Sequence, residues 1–460
     1  MPQSIAFHGA AQTVTGSKHL ITANGKKILV DCGLFQGSRE LRERNWQPFG
    51  FDPRLLDAVV LTHAHTDHIG LLPKLVKEGY RGPVYATKGT QGLCKVSLPD
   101  GGRLQEEEAG YHSRHHTSRH PHPLPLYTEA DAYEALKLIQ PVHFYDFHDL
   151  PGGATFRYIP AGHILGSAFV EVYFDNGERI LMGGDLGRYD RPILRDPVPV
   201  EYAEHLVIES TYGDRLHERG DAKEKIAGIL SRAYEDRSVV LVPSFAIGRT
   251  QEMLWYFNEL DKEGRLPDMP VYVDSPMATA TTLLYMEPGD DLDDELKVDL
   301  TEGSSPFRSD MVKFIRDRNM SKQLNNAPGP FVVISGSGML TGGRITHHLQ
   351  AHVSDPSTIV LFTGYQAEGT LGRSLLDGEP TVRLFGHEIE VRAQVERLDM
   401  LSAHADYQEM MRWLSNFKSA PRKTFIVHGE PPAQAALQAR IKAELGWETE
   451  VPSQGQFFAL

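Results

Sequence analysis

Between residues 63 and 68 the chain reads His63-Ala64-His65-Thr66-Asp67-His68. Four groups able to ligate a metal ion fall within one short stretch. On a turn such side chains point in different directions, so a single segment can serve two adjacent ions. Imidazole together with carboxylate suits zinc, with three or four protein ligands per ion leaving a position open to water. The same donors also accept manganese. A lone histidine beside a strand is more often structural, but four ligand types at this spacing are specific. Further candidates follow apolar stretches: His163 in Ala161-Gly162-His163-Ile164, Asp185 after Leu181-Met182-Gly183-Gly184, and His428 after Phe425-Ile426-Val427. Singly each reads as structural, whereas together they support one another.

The elements that must position these groups can be read around them. Residues 57–62 form a compact apolar strand and 69–78 carry a helix-like pattern, so the motif sits where a buried strand ends and a helix begins. Short strands with glycine turns are expected at 5–9, 19–22 and 27–31, and strands return at 154–159, 168–174 and 179–183. From about residue 205 apolar runs such as Val239-Val240-Leu241-Val242 and Phe331-Val332-Val333-Ile334 alternate with helices. That rhythm predicts a parallel sheet covered on both faces. After about residue 393 another strand is followed by Ser402-Ala403-His404-Ala405-Asp406, which leads into a helix, and Thr424-Phe425-Ile426-Val427 runs into His428. Because these late stretches carry histidines that suit the first region's chemistry, the chain is expected to return and complete domain one. The expected division is 1–208 and 393–460 for that domain, with 209–392 inserted as a separate α/β domain.

A chain of 460 residues exceeds one ordinary core, and 40% apolar with 23% charged residues is the balance of a globular protein. Two cysteines, Cys32 and Cys94, are too few for a disulfide framework and are not at a zinc-ribbon spacing. Any metal must then be held by histidine and carboxylate. No stretch suits a signal peptide or a membrane helix, so the expected location is the cytoplasm. The net charge of −14 argues against a protein that coats nucleic acid non-specifically, though it leaves room for a local positive groove.

The HxHxDH segment, the later His and Asp and the strand-end acids resemble the metallo-β-lactamase superfamily over essentially the whole chain. The resemblance implies an αββα sandwich in which His63, His65 and His163 hold one zinc, Asp67, His68 and His428 hold the other, and Asp185 bridges both. Asp31, in Leu29-Val30-Asp31-Cys32-Gly33, matches a carboxylate that braces the metal loop from behind the ligands. The middle region resembles the β-CASP insert of nucleic-acid-processing members. Glu209 in Ile208-Glu209-Ser210-Thr211-Tyr212 matches its first acidic motif, His404 its second and His428 its third. In that family a histidine at the third position accompanies RNA, and valine typically accompanies DNA repair.

The function implied is a zinc-dependent ribonuclease acting on single-stranded RNA, similar to bacterial and archaeal relatives of the messenger-RNA 3′-end cleavage endonuclease. A hydroxide activated by both ions attacks phosphorus, Asp67 and Asp185 orient it, and His404, held by Glu209, protonates the departing ribose oxygen. A DNA-directed nuclease, or another metal-dependent hydrolase on the same site, is the alternative. A non-catalytic RNA-binding homologue is disfavoured by the complete ligand set. Loops after the parallel strands add candidates for phosphate contact: Arg249, Ser335, Gly336, Gly338 and Arg344. The tract 112–122, rich in His and Arg, is expected to be a solvent-facing loop, and His347 and His348 packing or surface residues. No N-terminal RNA-binding extension of the archaeal kind is read, because the first strand starts within the first residues. A homodimer is compatible with this reading, although no exposed amphipathic segment specifies one.

Overall fold

A computed structural model describes residues 3–115 and 123–460. The chain divides into two compact units, Met1–Leu216 with His404–Leu460, and His217–Ala403.

The first unit carries two seven-stranded sheets. One runs in the order Phe457–Ala459, Ser4–Phe7, His19–Ala23, Lys26–Val30, Ala58–Val60, Val84–Thr87, Ile139–Val142. The other runs Thr449–Glu450, Lys423–Ile426, His205–Ile208, Arg179–Met182, Ala168–Tyr173, Ala154–Pro160, His148–Leu150. Strand residues alternate between faces, and the alternation sorts the core. Val170, Val172, Ile180, Met182 and Phe425 of the second sheet meet Phe7, Ile21, Ile28, Val30 and Val60 of the first. Their neighbours Phe169, Leu181, Leu206, Ile208 and Ile426 turn the other way, against Met410 and Trp413 of the helix Tyr407–Leu414 and Leu437 and Ile441 of the helix Pro431–Leu445. With the helices Leu72–Lys77, Lys88–His115 and Glu129–Leu136 beside the first sheet, the unit is an αββα sandwich.

Adjacent parallel strands put the candidate residues at one end of this sandwich. Val30 is in register with Val60, Met182 with Val207, and Ile208 with Ile426, so the loops that carry Asp31, the 63–68 motif, Asp185, Glu209 and His428 all leave on the same side. The helical stretch after the motif is two helices, Thr66–Ile69 and Leu72–Lys77, where the sequence pattern suggests one over 69–78. Gly70 caps the first, and Pro73 lies in the first turn of the second, where its missing N–H costs nothing. His404 is placed just ahead of the helix Tyr407–Leu414. Asp406 accepts from the amides of Gln408 and Glu409, and Glu409 in return accepts from Asp406 N at 2.9 Å. Of the tract 112–122, residues 112–115 close the long helix Lys88–His115, and 116–122 lie outside the described residues.

The second unit is built on six parallel strands, in the order Val312–Phe314, Val271–Val273, Phe331–Ser335, Val239–Pro243, Ile359–Phe362, Gln394–Arg397. Its central strands are buried along their whole length, which is why they read as unbroken apolar runs. The hairpin Thr381–Leu384 with His387–Glu390 packs Val382 and Leu384 into the same core as Leu340, Ile345 and Leu349. The β-CASP-like middle of the sequence thus forms its own α/β unit, and the strand Gln394–Arg397 is part of it.

Candidate metal centre

Two quartets of ligand atoms stand side by side in the first unit. In one, His65 Nδ1 lies 3.2 Å from His63 Nε2 and 3.1 Å from His163 Nε2, and Asp185 Oδ2 is 3.4 Å from both of those Nε2 atoms. In the other, His428 Nε2 lies 3.3 Å from His68 Nε2 and 3.3 Å from Asp67 Oδ2, while Asp185 Oδ1 is 3.2 Å from His68 Nε2 and 3.7 Å from His428 Nε2. Ligands bound at roughly 2.0–2.1 Å around a tetrahedral ion stand about 3.3 Å apart, so both quartets have the edge length such an ion requires. Both carboxylate oxygens of Asp185 are buried with no hydrogen-bond partner among the described residues. A buried, undonated carboxylate is costly unless a cation neutralises it, and here each oxygen faces a different quartet. The donor set therefore fits a pair of metal ions.

A shell of acceptors orients the rings, and the hydrogen-bond network assigns their tautomers. His68 Nδ1 donates to Asp31 Oδ2 at 2.7 Å, leaving Nε2 for a metal. Asp31 is fixed in turn by Thr62, whose amide donates to Oδ1 and whose hydroxyl donates to Oδ2, each at 2.8 Å. His63 Nδ1 donates to the same Thr62 hydroxyl at 3.1 Å, and His428 Nδ1 to that of Thr211 at 3.1 Å. The Thr211 hydroxyl donates onward to Glu209 Oε2 at 2.5 Å. Asp31 and His428 have φ of 61° and 49°, in the left-handed region that non-glycine residues seldom adopt. Strain of this kind persists where the surroundings over-determine it, as these hydrogen bonds do. The loop is also drawn close by Gly33, where a Cβ would stand 1.6 Å from the Asp67 carbonyl oxygen.

Burial lowers the His63 and His65 pKa values to about 3 and about 4, which keeps both imidazoles neutral, the form that binds metal. Burial opposes charge on His68 as well, but the carboxylates of Asp185 and Asp31 lift it well above the ordinary range, so its surroundings demand a positive charge at that point. His404 is set beside the quartets: its Nδ1 lies 3.1 Å from both Glu209 oxygens and 3.8 Å from Asp185 Oδ2. Burial again opposes protonation, yet Glu209, with smaller contributions from Asp185 and Asp67, raises it to about 9. The His404 side chain is 19% exposed, enough to meet a substrate from one side. Glu209 is fully buried and is also held by the Leu186 amide, which donates to Oε1 at 2.7 Å.

Every residue expected at the centre is thus brought to it. Thr62 and Thr211 are additions that sequence reasoning missed. The only signals for them are position, one directly before the motif and one two residues after Glu209. The candidates for phosphate contact lie in the second unit. Arg249 is buried and paired with Glu252. Arg344 donates to Asp274 Oδ1 at 2.6 Å, and the Ser335 hydroxyl to the Asp274 carbonyl at 2.8 Å. His348 is packed, as expected, with Nε2 2.7 Å from Asp274 Oδ2. Gly336 is half-buried, with its carbonyl accepting from the Ile345 amide at 3.3 Å, and Gly338 is buried against the Phe245 ring, with its carbonyl accepting from Gln366 Nε2 at 2.9 Å. Asp31→Ala is expected to weaken metal binding by about 10- to 100-fold through loss of His68 orientation. Titration with a competing chelator measures this, and unchanged affinity would refute the bracing role.

Residues 16–91 match the model of the metallo-beta-lactamase superfamily, 250–375 that of the Beta-Casp domain, and 388–452 that of the Zn-dependent metallo-hydrolase RNA specificity domain. The chain is similar to Ribonuclease TTHA0252 of Thermus thermophilus, with 40% identity over 97% of this chain and 98% of that protein. It is 30% identical to the RNase J-like protein of Methanocaldococcus jannaschii over 98% of each chain. It is also 29% identical to Transcription termination factor FttA of Methanosarcina mazei, over 96% of this chain and 69% of that protein. A crystal structure of a protein of unknown function from Enterococcus faecalis V583 matches over the whole of both chains with a TM-score of 0.56 and 14% identity, a likeness of fold alone. With the two-unit architecture and a metal-ligand cluster at the strand ends, these matches establish that the chain belongs to the β-CASP ribonuclease family of the metallo-β-lactamase superfamily and is a metal-dependent hydrolase.

Proposed function

We propose that the protein hydrolyses phosphodiester bonds of single-stranded RNA using two zinc ions, one held by His63, His65 and His163, the other by Asp67, His68 and His428, with Asp185 shared. The observation that carries this reading is Asp185 itself, a buried carboxylate with one oxygen turned to each quartet and no hydrogen-bond partner outside the ligand set among the described residues. Bound there, two divalent ions supply Lewis acidity that activates water and offsets charge on an anionic phosphoryl group. Asp67 and Asp185 orient the nucleophile. His404 gives its proton to the ribose oxygen as the P–O bond breaks, and Glu209 holds the imidazole in place and favours its charged form. RNA as substrate is supported by the histidine at 428 and by the similarity to two relatives named as ribonucleases and, over 388–452, to an RNA specificity domain. Phosphate contact in the second unit falls, in this reading, to the half-buried loop backbone at Gly336, while buried Gly338, Ser335, Arg249 and Arg344 hold the loops around it.

The test is a gel assay with end-labelled single-stranded RNA and DNA of the same sequence, using metal-loaded and chelated protein. The expected result is RNA cleavage that disappears on chelation and returns with about two zinc ions per chain. Preferential cleavage of DNA, or intact RNA with fully loaded protein, would overturn the proposal.

A further inference from the structure

The hairpin of the second unit turns on two residues, Phe385 and Gly386, because Leu384 pairs directly with His387. Both turn residues have positive φ, 49° and 85°. A two-residue turn of this twist calls for Asn, Asp or Gly at its first position, since those residues tolerate the left-handed region. Phenylalanine does not share that tolerance, and 50% of Phe385 is exposed to solvent. Neither backbone preference nor burial accounts for an aromatic ring here. Strain accepted at a surface position is a reason to look for use.

The ring is held in one orientation. It stacks on the imidazole of His347 with centroids 4.6 Å apart and planes within 16°. His347 belongs to the helix Arg344–His352, which directly follows the glycine-rich loop, and the hairpin shares its core with Leu340 of that loop. An outward aromatic face with a second ring behind it is the elementary unit on which a base of a single-stranded nucleic acid stacks.

We infer that Phe385, backed by His347, is a stacking platform for a base of the RNA strand. The inference rests on RNA being the substrate. Stacking is tolerant of sequence because every base has a π-face, so the platform contributes affinity without dictating a cleavage motif. It also gives a chain of net charge −14 a means of holding RNA that needs few cations.

The experiment compares native protein with Phe385→Ala, Phe385→Asn and Phe385→Trp, measuring KM for cleavage of a single-stranded oligoribonucleotide and the thermal midpoint of each. One stacked base is worth roughly 1–3 kcal/mol, so Phe385→Ala should raise KM by about 5- to 150-fold. Phe385→Trp should keep the native KM, and its added fluorescence should be quenched by the RNA. Phe385→Asn suits the turn, so it should lose RNA affinity as alanine does while melting no lower than the alanine variant. If native protein cleaves RNA and the Ala and Asn variants match its KM within twofold, the platform is refuted. The ring would then face another partner such as a protein, and the ribonuclease reading would stand. If native protein neither binds nor cleaves RNA, both fall together.

Discussion

Asp185→Asn is expected to lower RNA cleavage by on the order of 10³-fold or more, about 4 kcal/mol of transition-state stabilisation, and to reduce bound metal in the same preparation. The substitution keeps the shape of the side chain and removes only its charge and one oxygen. Asp185 is the single residue common to both quartets, so its loss would act on both proposed ions at once, whereas a change at His63 or His428 would touch one. In the metal-free protein the same change should lower the melting temperature, because the buried His68 imidazolium then loses the carboxylate whose Oδ1 lies 3.2 Å from its Nε2. Elemental analysis beside a cleavage assay and a chelated melting curve gives all three quantities. A variant that keeps two ions and full turnover would sink the shared-ligand assignment.

His404→Ala has the second-largest expected effect, a fall in turnover of about 10²- to 10⁴-fold with metal content unchanged. The separation of the two readouts follows from geometry: Nδ1 of His404 is taken up by both oxygens of Glu209 and neither quartet needs it. Glu209→Gln should also slow turnover, and the double substitution should cost far less than the product of the single effects, since Glu209 acts largely through His404. Full additivity would mean that Glu209 works mainly through Thr211 and His428 instead, a route the structure also provides. An RNA with a good leaving group at the scissile bond should restore much of the His404→Ala rate, because protonation is then no longer needed.

The metal motif was legible because its ligands are neighbours in sequence, so no knowledge of tertiary contacts is needed to see them together. His163, Asp185 and His428 were legible only as histidines and an aspartate at the ends of apolar strands; parallel register aligns the strand ends before Asp185 and His428, and the strand before His163 runs the same way across the antiparallel Ala168–Tyr173. The hydrogen-bond partners were not legible. Thr62 and Thr211 are ordinary strand-end threonines in sequence, and their value lies in a hydroxyl that meets a ring from another segment. Nor does residue type disclose the left-handed backbone of Asp31, His428 and Phe385, which is imposed by tertiary contacts and turn length. For Arg249 and Arg344 the charge was visible and the partner was not. A guanidinium that follows a strand looks available until Glu252 and Asp274 are seen against it.

The second quartet joins His68 to His428, residues separated by 360 positions. A ribosome delivers these two groups far apart in time, and the strand Lys423–Ile426 that carries His428 into place must pair with His205–Ile208 late in synthesis. A polypeptide interrupted at any earlier codon has the conspicuous motif and lacks a finished centre. Completing the centre is therefore the same event as closing the second sheet of the first unit.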